Sequence, residues 1–143
     1  MDQMPNWDPK NLTRHYQKRI TRDKGCFEDL MGIQGRDMTQ AEYEQRSQEA
    51  YNNSWGEFEA EGRDIRRQGW YPMSAYFVDG DLVVAILDLP RTTFLTCFHA
   101  HFDLPHHVVA SLSIGRRMIF YQKQILQYRK SGRLRNFKRI RGV

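Results

Sequence analysis

The chain reads as an α+β domain in which N-terminal helices pack on an antiparallel β-sheet and a basic C-terminal helix and tail follow. Three observations predict this. The first half repeats apolar residues at helical spacing behind recognisable caps, and after Pro72 the pattern changes to short extended runs around a hairpin signal. The last forty residues hold ten Lys or Arg and no Asp or Glu. At 143 residues one domain is expected, with a helical part over 1–70, a sheet over 71–114 and a basic arm over 115–143.

The first helix opens at Asp8-Pro9, an N-cap followed by proline at the first helical position, and ends at Gly25. Leu12, Tyr16 and Ile20 give it an apolar stripe, and Arg14, His15, Lys18, Arg19 and Arg22 are read onto its other faces. Thr39-Gln40-Ala41-Glu42 is a capping box, with Met38 and Tyr43 as its hydrophobic staple, so a second helix runs from there to Asn52-Asn53. The charged stretch 55–69 reads as a linker or short helix. Residues 74–78 and 82–87 are strand-like, and Asp79-Gly80 between them marks a tight hairpin. In 92–102, strict alternation groups Phe94, Thr96, Phe98, Ala100 and Phe102 on one face, and Thr93, Leu95, Cys97, His99 and His101 on the other. Residues 106–114 fit strand or helix, and 118–130 read as a helix ended by Gly132.

Composition narrows the function. No apolar run approaches the eighteen or so residues of a membrane span, and the N-terminus lacks a signal-peptide core. Cys26 and Cys97 are too few for a disulfide scaffold and match no metal knuckle; they read as two buried thiols, with a single bridge as the alternative. Residues 104–143 carry +10 and residues 1–103 carry −5, which together make the net charge of +5. A basic arm on an acidic body is the footprint of a protein that handles a polyanion, most often nucleic acid. Arg116, Arg117, Lys123, Arg129, Lys130, Arg133, Arg135, Lys138 and Arg139 can neutralise phosphates, while the interleaved Phe120, Tyr121, Tyr128 and Phe137 can stack on unpaired bases. Arg14, Arg19 and Arg22 of the first helix extend this basic set. The plainer reading is a solvated helix with core-facing aromatics and a disordered tail.

Three groups could carry chemistry. His15 precedes Lys18 by three residues and Arg19 by four, so an imidazole and cations project together: an acid/base beside groups that stabilise phosphorane charge. In Arg91-Thr92-Thr93-Phe94-Leu95-Thr96-Cys97-Phe98-His99 a threonine hydroxyl could bond a phosphate oxygen that Arg91 clamps, although Thr and Phe also favour a plain central strand. The cluster His99, His101, His106 and His107, with Asp103 near it, could hold a metal, or could supply a second acid/base from His99 or His101.

Taken together these pieces resemble the barnase–EndoU–colicin–RelE-like toxin ribonucleases, most closely those at the C-termini of bacterial polymorphic and contact-dependent toxins. The resemblance rests on Leu12, His15 and Lys18 in one helix, Glu42-Tyr43 at the head of a capped helix, and Phe94-Leu95-Thr96-Cys97-Phe98 as the strand after a hairpin. It covers roughly 12–102; Cys97 stands where the family has an aromatic, and the basic arm lies outside its pattern. It implies a metal-independent ribonuclease without cofactor. His15 would be the acid/base, Lys18 and Arg91 would stabilise phosphate, and Thr96 would position it. If the face of Thr96 is core, Thr93 or His99 inherits that role. It further implies tRNA or another structured RNA as substrate, an acidic immunity protein or antitoxin as partner, and action in the cytoplasm, with the chain delivered as part of a larger toxin. The competing readings are a non-catalytic nucleic-acid- or ribosome-binding protein that relies on the arm, and a metal nuclease built on the histidine cluster.

Overall fold

A computed structural model describes residues 4–22, 39–61, 69–100, 108 and 111–140. The expected helix end at Gly25, together with Cys26, Met38, His101, Asp103, His106 and His107, lies outside the described residues, as do the side chains of Arg19, Arg22 and His99. The order of elements is β1 (Asn6–Trp7), α1 (Pro9–Arg22), α2 (Gln40–Asn52), β2 (Gly56–Glu61), β3 (Trp70–Val78), β4 (Asp81–Leu87), β5 (Thr93–His99), α3 (Ile114–Lys130) and β6 (Leu134–Arg139). The α+β class is as expected. The sheet, however, is mixed rather than antiparallel: its six strands run β1-β5-β4-β3-β2-β6, and β1 joins β5 in parallel.

The N-terminal helices form where their caps place them. The Asn11 N–H donates to Asp8 Oδ2 at 3.1 Å, and Leu12 N–H to the Asp8 carbonyl at 2.9 Å. In α2 the capping box closes in both directions, Thr39 N–H to Glu42 Oε1 at 3.0 Å and Glu42 N–H to Thr39 Oγ1 at 3.1 Å. Tyr43, Ser47 and Ala50 then face the sheet. The Tyr43 hydroxyl reaches the β5 backbone at Cys97, donating to its carbonyl at 2.9 Å and accepting from its N–H at 3.0 Å. Because β1 pairs β5 only at Thr93 and Phe94, Cys97 lies beyond that ladder, and the phenol completes it. Trp7 is tied to the same helix, its Nε1–H donating to Ser47 Oγ at 2.7 Å.

Helices cover both faces of the sheet. On one side α1 and α2 bury Trp7, Leu12, Tyr43, Val83, Leu87 and Phe94. On the other, α3 buries Trp55, Phe58, Leu82, Val84, Tyr121 and Ile125. The expected basic tail is folded: after Gly132, at φ +82°, the chain enters β6, which pairs antiparallel with β2 and forms one edge of the sheet. The stretch expected to be a linker contains β2, so the sheet starts well before residue 71. The Asp79-Gly80 hairpin is present, with both residues at positive φ as a type I′ turn requires. A side chain at Gly80 would also collide with the start of α3, since an added Cβ would lie 2.9 Å from the Ile114 carbonyl oxygen.

Strict alternation fails in β5. Ile86 pairs with Thr96 but Leu87 with Phe94, so Leu95 is a bulged extra residue and Phe94 joins Cys97 on the α1/α2 face. A second bulge opens between β2 and β6, where Asn136 takes a left-handed conformation at φ +55°.

The α3 layer is locked by a buried ion pair. Asp81, fully buried at the head of β4, accepts from Arg117 Nη1 at 3.0 Å and from the Tyr121 hydroxyl at 3.3 Å. The Arg117 Nε–H also donates to the Leu112 carbonyl at 2.8 Å. Replacing Arg117 with Met leaves the carboxylate buried without that cation, and a loss of about 3–5 kcal/mol is expected in urea unfolding. A second change, Asp81→Asn, should recover part of that loss.

Candidate functional site

The residues singled out in the sequence do not converge on one point. His15 shares the buried stripe of α1 with Leu12 and Tyr16; its side chain is 8 % exposed and its ring centroid lies 6.2 Å from that of Trp7. Thr96 is 5 % exposed and sits opposite Ile86 on the α3 face, so the sheet separates it from His15. Lys18 and Arg14 are exposed on α1, and Arg14 donates to Asn11 Oδ1 at 3.0 Å. The backbone of His99 pairs with Val83. Of the basic set, Arg117 serves the Asp81 pair, Arg133 lies 5.2 Å from the Tyr128 ring, and Arg135 lies 4.1 Å from the Trp70 ring. Arg116, Lys123, Arg129, Lys130, Lys138 and Arg139 are exposed along α3 and β6.

Arg91 is held differently from the others. It sits in the β4–β5 turn at φ +62°, a region that favours glycine and penalises a long side chain. The turn is built by Asp88, whose Oδ1 accepts from Thr92 N–H at 2.8 Å and Thr93 N–H at 3.1 Å, and whose Oδ2 accepts from the Thr92 hydroxyl at 3.1 Å. Burial pushes this carboxyl up, but the bonds from Thr92 and Thr93 outweigh it and hold it below the usual carboxylate range. Arg91 N–H itself donates to the Asp88 carbonyl at 3.0 Å.

The turn brings Arg91 to a group that sequence reading missed. In β2, Glu57 and Glu59 alternate with Phe58, which is in the core. Glu57 continues the row Ser74–Ala85–Cys97, whose last two members lie beneath α1 and α2. Helix α2 rests on β3, β4 and β5, and the row emerges into solvent on β2. Here Arg91 Nη1 lies 3.7 Å from Glu57 Oε2, and Arg135 Nη2 lies 3.6 Å from Glu59 Oε2. The Asn136 amide donates to Glu59 as well. At the margin of α2, Tyr76 donates to Glu49 Oε2 at 3.0 Å, and Arg46 lies 3.2 Å from the same oxygen. Burial pushes the Tyr76 phenol above its ordinary range, so it remains a donor. The patch thus pairs partly buried carboxylates with more exposed guanidinium groups, a combination able to accept a proton and hold an anion side by side. The alternation in Gly56-Glu57-Phe58-Glu59-Ala60-Glu61 is the signal that could have disclosed it.

Among the described residues, no three His, Cys, Asp or Glu side chains are grouped so as to hold a metal ion. No described helix is long and apolar enough to cross a membrane. Compared with family models, curated proteins and solved structures, the chain matches none.

The strained turn yields two expectations. The lowered carboxyl of Asp88 contributes stability that is present above about pH 4, the unfolded aspartate range, and is lost as pH falls through its folded value. Asp88→Asn should therefore lower the Tm at pH 7, and the gap to the parent should close in melts below pH 4. Arg91→Gly relieves the left-handed strain but loosens the unfolded chain, so stability should be unchanged or rise by up to about 1 kcal/mol, measured by urea unfolding.

Proposed function

We propose that this chain is a metal-independent ribonuclease of the toxin type, which holds RNA along basic α3 and the edge strand β6 and cleaves it at the Glu57–Arg91 patch, on the other face of the sheet and reached around that edge. The observation that carries this reading is a strained arginine 3.7 Å from a carboxylate on the solvent-facing row of the sheet. Glu57 takes the proton of a ribose 2′-hydroxyl, the 2′-oxygen bonds to the adjacent phosphorus, and the bond to the 5′-oxygen breaks to leave a cyclic phosphate. Arg91 and Arg135 offset the charge that gathers on the phosphorane oxygens. The departing 5′-oxygen takes its proton from solvent water, since His99, the second acid/base of the sequence reading, lies on β5, three strands away from β2. His15, the acid/base that the family resemblance implies, packs against Trp7 in this fold, and its replacement is expected first to cost stability. The substrate class is structured RNA such as tRNA, reached in the cytoplasm after delivery within a larger toxin. A basic nuclease surface of this kind calls for an acidic immunity protein or antitoxin.

A second reading, RNA binding without cleavage, is favoured by the burial of His15 and Thr96 on opposite sides of the sheet. One experiment separates the two: total RNA and isolated tRNA incubated in EDTA with the parent chain, Glu57→Gln, Arg91→Ala and His15→Ala. Discrete cleavage by the parent, reduced about 10²–10⁴-fold in Glu57→Gln at unchanged Tm, is the expected result. Intact RNA that nevertheless shifts in a gel establishes the binding reading. Full activity in Glu57→Gln with loss in His15→Ala at unchanged Tm returns catalysis to the first helix.

A further inference from the structure

Away from the sheet patch, a cleft of about 380 Å³ opens between α3 and β6, at the lower end of the range for small-molecule sites. Its floor is apolar and aromatic: Ile125, Phe137 and the indole of Trp55. Trp55 is 6 % exposed, packs against Phe77 and Phe137, and its buried Nε1–H has no hydrogen-bond partner among the described residues. An orphaned indole donor is unusual in a protein interior. Helix α3 supplies the outer wall, with Ile119 54 % and Leu126 47 % exposed, two turns apart on one face. Lys123 and Arg129 lie on that face as well, and Arg139 of β6 also lines the cleft. The Gln122 amide adds one donor and one acceptor. An apolar slot with cations at its margin complements a flat heterocycle joined to phosphates.

We infer that this cleft seats one unpaired nucleotide of an RNA strand, its base between Leu126 and the Trp55–Phe137 floor and its flanking phosphates on Lys123 and Arg129. The inference rests on the reading of the chain as an RNA-handling protein and names a subsite that holds the strand away from the scissile bond. A base carbonyl or ring nitrogen reaching the floor would satisfy the Trp55 donor. A duplex has no free base to offer, so the subsite selects loops and single-stranded ends.

The test uses the full chain and a fluorescein-labelled 2′-O-methyl uridine decamer, which has no 2′-hydroxyl and cannot be cleaved, beside an abasic phosphodiester of equal length. Fluorescence anisotropy is read across a salt series. The double variant Lys123→Ala/Arg129→Ala should bind at least tenfold more weakly, with the salt slope reduced by about 1.4, while Lys10→Ala on α1 behaves as the parent. Leu126→Ser, an exposed change that leaves the core alone, should weaken the uridine decamer about fivefold and the abasic chain not at all. Trp55→Phe should act in the same way; if it fails to fold, Leu126→Ser carries the point. The inference is overturned if the two arms bind the parent equally, if neither cleft variant changes affinity, or if an acidic amphipathic helical peptide occupies the cleft more tightly than the decamer. Binding loss in the cleft variants of a chain that cleaves no RNA would sink the ribonuclease reading alone. Normal binding by those variants of a chain that needs Glu57 to cleave would sink the cleft alone.

Discussion

Everything on the α3 side depends on one buried carboxylate. Asp81 begins β4 directly after a two-residue turn, and its oxygens hold both Arg117 and Tyr121 one helical turn apart on α3. Gly80 lets the helix backbone approach the turn closely enough for those bonds to form. Desolvating an aspartate is costly, so the pair specifies position more than it adds stability. The helix cannot slide along the sheet without leaving the charge uncompensated. Since β6 follows α3 after a three-residue connection, the same pair fixes where the last strand meets β2.

The opposite face is organised by aromatic packing with polar ends. Trp7 stacks on Phe94 with centroids 5.8 Å apart, and tilts against Tyr43 at 5.7 Å. Each polar tip in that group is spoken for: the indole by Ser47, the phenol by the backbone of Cys97. This cluster joins the two N-terminal helices to β1 and β5, so the helices stop short of β2 and leave its glutamates partly exposed. The polar patch is in this sense a product of where the aromatics end.

Much of this fold was legible in the chain, and the failures have physical causes. The caps at Asp8 and Thr39 and the turn at Asp79-Gly80 are local chemistry, and each appears where the residues dictate. Strand β2 was hidden because its solvent row is all glutamate, which reads as a charged connection until Phe58 and the partner strands are known. Strand β6 was hidden because Leu134 is its one fully buried residue; it exists through pairing with β2 rather than through its own pattern. The bulge at Leu95 defeated the alternation argument, since one inserted residue exchanges the faces on either side of it. The placing of His15 was within reach: at three residues beyond Leu12 and one before Tyr16, it belongs to the apolar stripe. For the site, Arg91 was visible as a residue but its partner was not, because the Glu57 contact joins positions far apart in sequence.

The two outer strands bear on how the molecule keeps to itself. A free sheet edge offers unpaired backbone groups to any extended chain, and recruitment of a second copy is the usual hazard. At one edge β1 is only two residues long, too short to template a partner, and beyond it the Tyr43 hydroxyl occupies the β5 backbone at Cys97. The other carries Arg135, Lys138 and Arg139 within six residues and is kinked at Asn136, so an identical strand laid beside it would meet like charge and a broken register. The cations proposed to hold RNA on β6 therefore also guard it against self-assembly. A variant that neutralised them would, by the same act, expose a β-edge to aggregation.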